Sequence, residues 1–301
     1  MYEQISSNKR KTVLLVAGAF VVLGALGFAL GYVFASPQEA VVWMVIGLAI
    51  AGIQSFFSLR YGDKLVLAST RARPVSHEEA PQLHNVVEGM AIAAGLPKPA
   101  VYIVPEQAPN AYATGRDPEH SSIAVTQGLL EVMNRVELEG VIAHEMSHIQ
   151  DRDMLVGTVV ATLVGAVVLI SEFFLRWMWI GGRRSSNDSG GSAGLIFAVI
   201  GILLLVLAPV LSAIVQAAVS RQREKLADAN GALLTRYPPG LVAALKKLAI
   251  SSTAMRSANN ATAHLWLNQP SRFQGEKTGF LERLFNTHPP LEERIRLLEE
   301  M

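Results

Sequence analysis

The sequence predicts a mainly α membrane protein, with four transmembrane helices joined to a cytosolic α+β domain, and three observations lead there. Half of the 301 residues are apolar and only 17% are charged, a balance that favours a membrane protein. Four long stretches carry almost no charge. The segments between and after them alternate short β-prone runs and helical patterns with turn residues.

The first hairpin occupies residues 1–59. Thr12 to Ser36 holds no charged residue and exceeds the ~20 residues a helix needs to cross a ~30 Å hydrocarbon core. Ser36-Pro37-Gln38-Glu39 turns the chain, and the equally uncharged Ala40 to Leu59 brings it back. A cleaved signal peptide would have a shorter apolar region and a small-residue processing site, neither of which is visible around Tyr32 to Gln38. The anchor is therefore expected to be retained. Lys9, Arg10 and Lys11 precede the hairpin, Arg60, Lys64, Arg71 and Arg73 follow it, and the turn has no Lys or Arg. Both flanks are thus expected in the cytosol.

Residues 60–153 read as the first part of the soluble domain. Ser76 and Glu79 fit a capping box that opens a helix, which Gly95 and Pro97 would stop. Ala100 to Val104, Ala111 to Thr114 and Ser122 to Thr126 are β-prone runs separated by Pro, Asn, Gly and Asp, and they suggest a small antiparallel meander. A helix follows over Val136 to Asp153, with Asn134 and Glu137 as its cap. Residues 154–220 read as a second membrane hairpin. Its arms are Leu155 to Leu175, whose only charge is Glu172, and the uncharged Ala193 to Ser220, around a Gly- and Ser-rich loop. Residues 221–301 complete the domain, with a helix after Pro238-Pro239-Gly240 and an amphipathic one from Pro290 to Glu300.

A formal net charge of +1 gives no global field toward polyanions, so no nucleic-acid partner is expected. The absence of cysteine removes disulfides, thiol nucleophiles and cysteine-rich zinc sites together. A metal in this protein must use His, Asp or Glu.

His144-Glu145-Met146-Ser147-His148 supplies such a set. Two histidines one helical turn apart project from one face and can share an ion, with Glu145 close enough to hold a water on it. A polar pair on a helix surface is the plain alternative, disfavoured by the strongly apolar helix around it. Catalytic zinc takes three protein ligands, and Glu224 and Asp228, four apart on an expected helix, can face one site together. By spacing alone they read equally well as solvated helix surface paired with Lys and Arg. His77, His84, His120 and His264 lack a partner at ligand spacing and read as structural or surface residues.

Four segments in order, Pro109-Asn110-Ala111-Tyr112-Ala113, His144 to His148, Arg223 to Asp228 and Thr287-His288-Pro289-Pro290, together with the hairpin, resemble the HtpX family of bacterial membrane metallopeptidases. That family is related to the CAAX prenyl endoprotease and belongs to the gluzincin group. The resemblance implies a gluzincin-type domain that binds one Zn2+ through His144, His148 and Glu224. It makes Glu145 the catalytic base, Asp228 the support of a ligand histidine, and His288 a donor to the oxyanion. Asn110, Ala111, Tyr112 and Ala113 would form an edge strand that receives an extended substrate. It further implies a multi-pass protein of the bacterial inner membrane, with the lipid bilayer as a partner and with the catalytic domain and both termini in the cytosol. Unfolded or damaged membrane proteins would be the substrates, and other membrane quality-control proteases possible partners. CAAX-type processing is a second enzymatic reading. A non-enzymatic membrane scaffold is a third, but it gives no reason for Glu145.

Overall fold

The computed structural model describes residues 2–34, 36–164, 221–251, 255, 262–268 and 289–301. Helices α1 (Tyr2–Phe34) and α2 (Ala40–Ser69) form a hairpin closed by the carbonyl of Ser36, which accepts from the amides of Glu39 and Ala40. The helices touch backbone to backbone where side chains are missing. A Cβ on Gly27 would lie 2.2 Å from the Trp43 carbonyl oxygen, and one on Gly47 2.2 Å from that of Leu23. Small residues permit this approach between membrane helices. Both helices are long and apolar enough to span a bilayer, and only 17% and 22% of their most apolar windows are buried within the protein. The remainder, including Val42, Ile46, Ile53 and Phe56, faces outward as lipid-facing surfaces do. Helix α2 runs ten residues beyond the expected end at Leu59.

The sheet contains β1 (Arg73–Pro74), β2 (Ala100–Val104), β3 (Ala111–Gly115) and β4 (Ser121–Thr126) in the order β1-β2-β4-β3. This corrects the antiparallel meander: β2 and β4 run parallel, while β1–β2 and β3–β4 are antiparallel. The chain leaving β2 skips one position and crosses the start of helix α4 (Gln127–Val132), where the Gly128 amide donates to the Glu106 carbonyl. A Cβ on Gly128 would fall 1.9 Å from the Gln107 carbonyl oxygen, so this crossing requires glycine.

Helix α3 (Pro81–Ala94) ends at Gly95, which adopts the left-handed conformation with φ of 66°. Ser76 and Glu79 do exchange capping-box hydrogen bonds, but they close a separate turn. Proline disfavours the helical conformation in the residue before it, so Ala80 breaks the chain and the helix begins afresh at Pro81.

Helix α5 (Arg135–Gln150) starts at a complete capping box: Asn134 Oδ1 accepts from the Glu137 amide and Glu137 Oε2 from the Asn134 amide. It packs against α3, β3 and two later helices, and eleven of its residues are buried. Arg152, with φ of 58°, separates it from α6 (Asp153–Val164). Val156, Val159, Val160 and Val164 of α6 are buried, and they share a cluster with Leu15 of α1. Helices α7 (Arg221–Thr235), α8 (Pro238–Ile250) and α9 (Leu291–Glu299) complete the fold around α5. The expected second hairpin lies outside the described residues beyond Val164.

Candidate metal centre

The register of α5 places His144 and His148 one turn apart, with ring centroids separated by 4.8 Å and Nε2 atoms by 3.1 Å. Opposite them, Glu224, Asp228 and Gly231 occupy one face of α7. A Cβ on Gly231 would sit 3.0 Å from the His144 backbone nitrogen, so glycine is what lets α7 lie this close. Glu224 Oε2 lies 3.7 Å from His144 Nε2, and Oε1 lies 3.7 Å from His148 Nε2.

Each histidine is bonded to a carboxylate through its other nitrogen: His144 Nδ1 to Asp228 Oδ1 at 2.9 Å, and His148 Nδ1 to Asp153 Oδ2 at 3.1 Å. An ionised carboxylate only accepts, so Nδ1 carries a proton on both rings and both Nε2 lone pairs turn inward. Two such lone pairs 3.1 Å apart repel unless a proton or a cation lies between them. A tetrahedral ion about 2.0–2.1 Å from each nitrogen would hold the pair roughly 3.3 Å apart. The donor atoms of His144, His148 and Glu224 all lie within 4.8 Å of one another, and they fit a metal ion.

The electrostatics follow from burial. Burial works against the charged form of His148, but the Asp153 hydrogen bond and the charges of Glu224, Asp153 and Glu145 outweigh it and raise the ring to about 9. His144 is held below its ordinary range by burial, against the pull of Asp228. Burial, reinforced by Glu224, lifts the Glu145 carboxyl to about 7 despite His148, Arg294 and a hydrogen bond from the Ala113 amide. A carboxyl poised there can both take and return a proton near neutral pH.

Arg294 of α9 has no exposed side-chain surface. It donates to Asp228 through Nε (2.8 Å) and Nη2 (2.7 Å), and to the Leu267 carbonyl through Nη1 (3.0 Å). Burial alone would raise the Asp228 carboxyl, but this guanidinium more than offsets it and keeps the carboxyl below its ordinary range.

The fold therefore brings His144, Glu145, His148, Glu224 and Asp228 together. Ala113 lines the same cleft, with His264, Leu265 and Met154 nearby. The rest of the expected substrate strand is engaged elsewhere. Asn110 is clamped to Asn268 (Nδ2 to its carbonyl 2.6 Å, its amide to Oδ1 3.0 Å), and the Ala111 carbonyl accepts from the Leu267 amide at 2.9 Å. Tyr112 turns inward, its ring centroid 4.7 Å from that of Trp266 and its hydroxyl 2.6 Å from Thr70 Oγ1. His264, expected to be a structural or surface residue, stands in the cleft wall and donates from Nε2 to the Gly157 carbonyl at 3.0 Å. His288 lies outside the described residues.

Sequence reasoning missed Asp153 and Arg294. Asp153 lies just past the end of the histidine helix, a place worth searching for a carboxylate. Arg294 follows Glu292 and Glu293 on an amphipathic helix and reads there as an ordinary surface charge.

The profile of peptidase family M48 matches residues 77–301. A protease HtpX homolog of Caldanaerobacter subterraneus is 44% identical over all of this chain and 98% of its own length, and one of Thermoanaerobacter pseudethanolicus 43% over the same shares. Another, from Streptococcus uberis, is 40% identical with both chains fully covered. The crystal structure of S. mikatae Ste24p aligns with 99% of this chain and 67% of its own at 18% identity and a TM-score of 0.48, below the level that establishes a common fold. With a family profile spanning most of its length and relatives alike from end to end, the chain belongs to peptidase family M48.

Proposed function

We propose that the chain is a membrane-anchored, zinc-dependent endopeptidase in which His144, His148 and Glu224 hold the ion and Glu145 moves the proton. The observation that carries this reading is the convergence of three donors, the buried His144 and Glu224 and the part-buried His148, on one point beside a buried carboxyl raised to about 7. When bound, the ion supplies Lewis acidity that acidifies a water and polarises the scissile carbonyl. Glu145 accepts the proton of the attacking water and delivers it to the leaving amide nitrogen. Asp228 and Asp153 hold the two rings in the tautomer that keeps Nε2 inward, and Arg294 keeps Asp228 ionised. His288 is assigned the oxyanion, from its sequence motif alone. Ala113, which lines the cleft beyond the Ala111–Leu267 hydrogen bond, is the part of the strand assigned to meet the substrate.

Substrates on this reading are unfolded or damaged membrane proteins, and the role is quality control in the bacterial inner membrane beside other proteases of that kind. The proposed topology has four spans, with both termini and the catalytic domain cytosolic. It rests on hydropathy and on the Lys and Arg flanks of the first hairpin. The test is metal-stripped protein, resupplied with zinc and given an unfolded polypeptide, beside Glu145→Gln. The variant is expected to keep its zinc and lose proteolysis by on the order of 10²-fold or more. Near-normal turnover by Glu145→Gln would remove the proposed base.

A further inference from the structure

Asn8 lies at the cytosolic start of α1, beside Lys9, Arg10 and Lys11, where a polar residue would ordinarily be solvated. It is 1% exposed. Its side-chain nitrogen donates to the Asp151 carbonyl at 3.0 Å and to Asp153 Oδ1 at 2.6 Å. Both neighbours only accept, so the nitrogen and not the oxygen of the amide must face them. The amide oxygen is buried without a hydrogen-bond partner, and the two donated bonds alone fix the group's orientation.

Asp153 uses its second oxygen on His148 Nδ1. A continuous line of bonds thus runs from the first membrane helix to a candidate metal ligand: Asn8 to Asp153, and Asp153 to His148. The helix is held in place for this. Asn8, Thr12 and Leu15 lie along one face of α1, all buried, and Leu15 packs against Val156, Val159 and Val160 of α6, the helix that Asp153 begins. If Asp153 served only to favour the start of α6, a carboxylate with both oxygens in water would suffice. Here one oxygen is held by a residue 145 positions away while the other orients the ring.

We infer that Asn8 is a positioning residue of the metal centre, holding Asp153 in the rotamer that fixes the tautomer and aim of His148, so that α1 is part of the metal site as well as a membrane anchor. This rests on the reading of His148 as a ligand. Side chains that orient a ligand commonly change metal affinity by ~10 to 100-fold when removed.

The test measures zinc affinity by chelator competition, and the visible spectrum of the cobalt-substituted protein, on the full-length chain in lipid. Asp153→Ala is expected to weaken zinc binding by ~10 to 100-fold. Asn8→Ala should weaken it by on the order of 3 to 10-fold, shift the cobalt spectrum, and add nothing once Asp153→Ala is present, because both act along one line. Asn8→Asp should be worse than Asn8→Ala, since it sets a carboxylate oxygen against both the Asp153 carboxylate and the Asp151 carbonyl. Affinity within twofold of the unaltered protein for Asn8→Ala, or losses that add in the double variant, would each overturn the inference. His148→Ala with unchanged affinity would instead overturn the ligand assignment, and this inference with it.

Discussion

Arg294 illustrates how much of a site can hang on one side chain that touches none of the reacting atoms. Its two bonds to Asp228 are charge-assisted and fully buried, so removing one partner strands the other charge in a poorly solvating interior. Arg294→Leu should cost about 3–5 kcal/mol in a denaturant titration, and pairing it with Asp228→Ala should recover part of that loss, since no lone charge then remains. The His148 ring provides a test with a defined sign. Its value in the metal-free protein is raised from 6.5 to about 9, so its stabilising contribution to that state is full below about pH 6.5 and is lost as the pH climbs through about 9. Metal uptake must displace that proton. Zinc affinity should therefore rise by about tenfold per pH unit from neutrality and level off above about pH 9, as read from proton release on titration with zinc. At this scale the histidine pair and its glutamate were legible in the sequence because a four-residue spacing is a local fact. The Arg294 bond was not, since its partner lies 66 positions away.

Helices and strands were legible where a local signal decided them. The capping box of Asn134 and Glu137 fixed the start of α5, and the runs at 100–104 and 122–126 became strands, the second one residue longer than expected. The order of those strands was hidden, because it depends on the chain crossing over Gly128, a tertiary approach that no pattern within the strands records. The Ser76–Glu79 box marked a turn rather than a helix because Pro81 intervened. The α5–α7 pairing depends in the same way on one missing side chain. Gly231→Val would press a branched side chain into the backbone at His144, where a first Cβ already sits at 3.0 Å. The expected result is bound zinc well below one per chain with helical content by circular dichroism nearly unchanged, because the helices separate rather than melt. Full zinc occupancy in this variant would show that the close approach is dispensable.

Across the whole molecule, hydropathy made the first hairpin plain, and its two helices are long and apolar enough to cross a membrane and have apolar outer surfaces. Hydropathy could not show that α2 continues beyond the apolar stretch to Ser69 and supports the sheet, where Thr70 meets Tyr112. The proposed four-span topology places Ser186 outside the cell membrane. In this cysteine-free chain, Ser186→Cys should react with a membrane-impermeant thiol reagent in intact cells, and labelling only after lysis would leave two spans. The order in which the site's parts occur along the chain has a further consequence. A ribosome makes Glu224 and Asp228 well before Arg294, which follows Asp228 by 66 residues. At ~5–20 residues per second, that interval is on the order of several seconds. During it the nascent chain holds both histidines and the glutamate, while Asp228 still lacks the guanidinium that anchors it beside His144 and offsets its burial in the finished fold. The donors of the site are thus made before the side chain that ties Asp228 to them, and α9 is the element that completes the set.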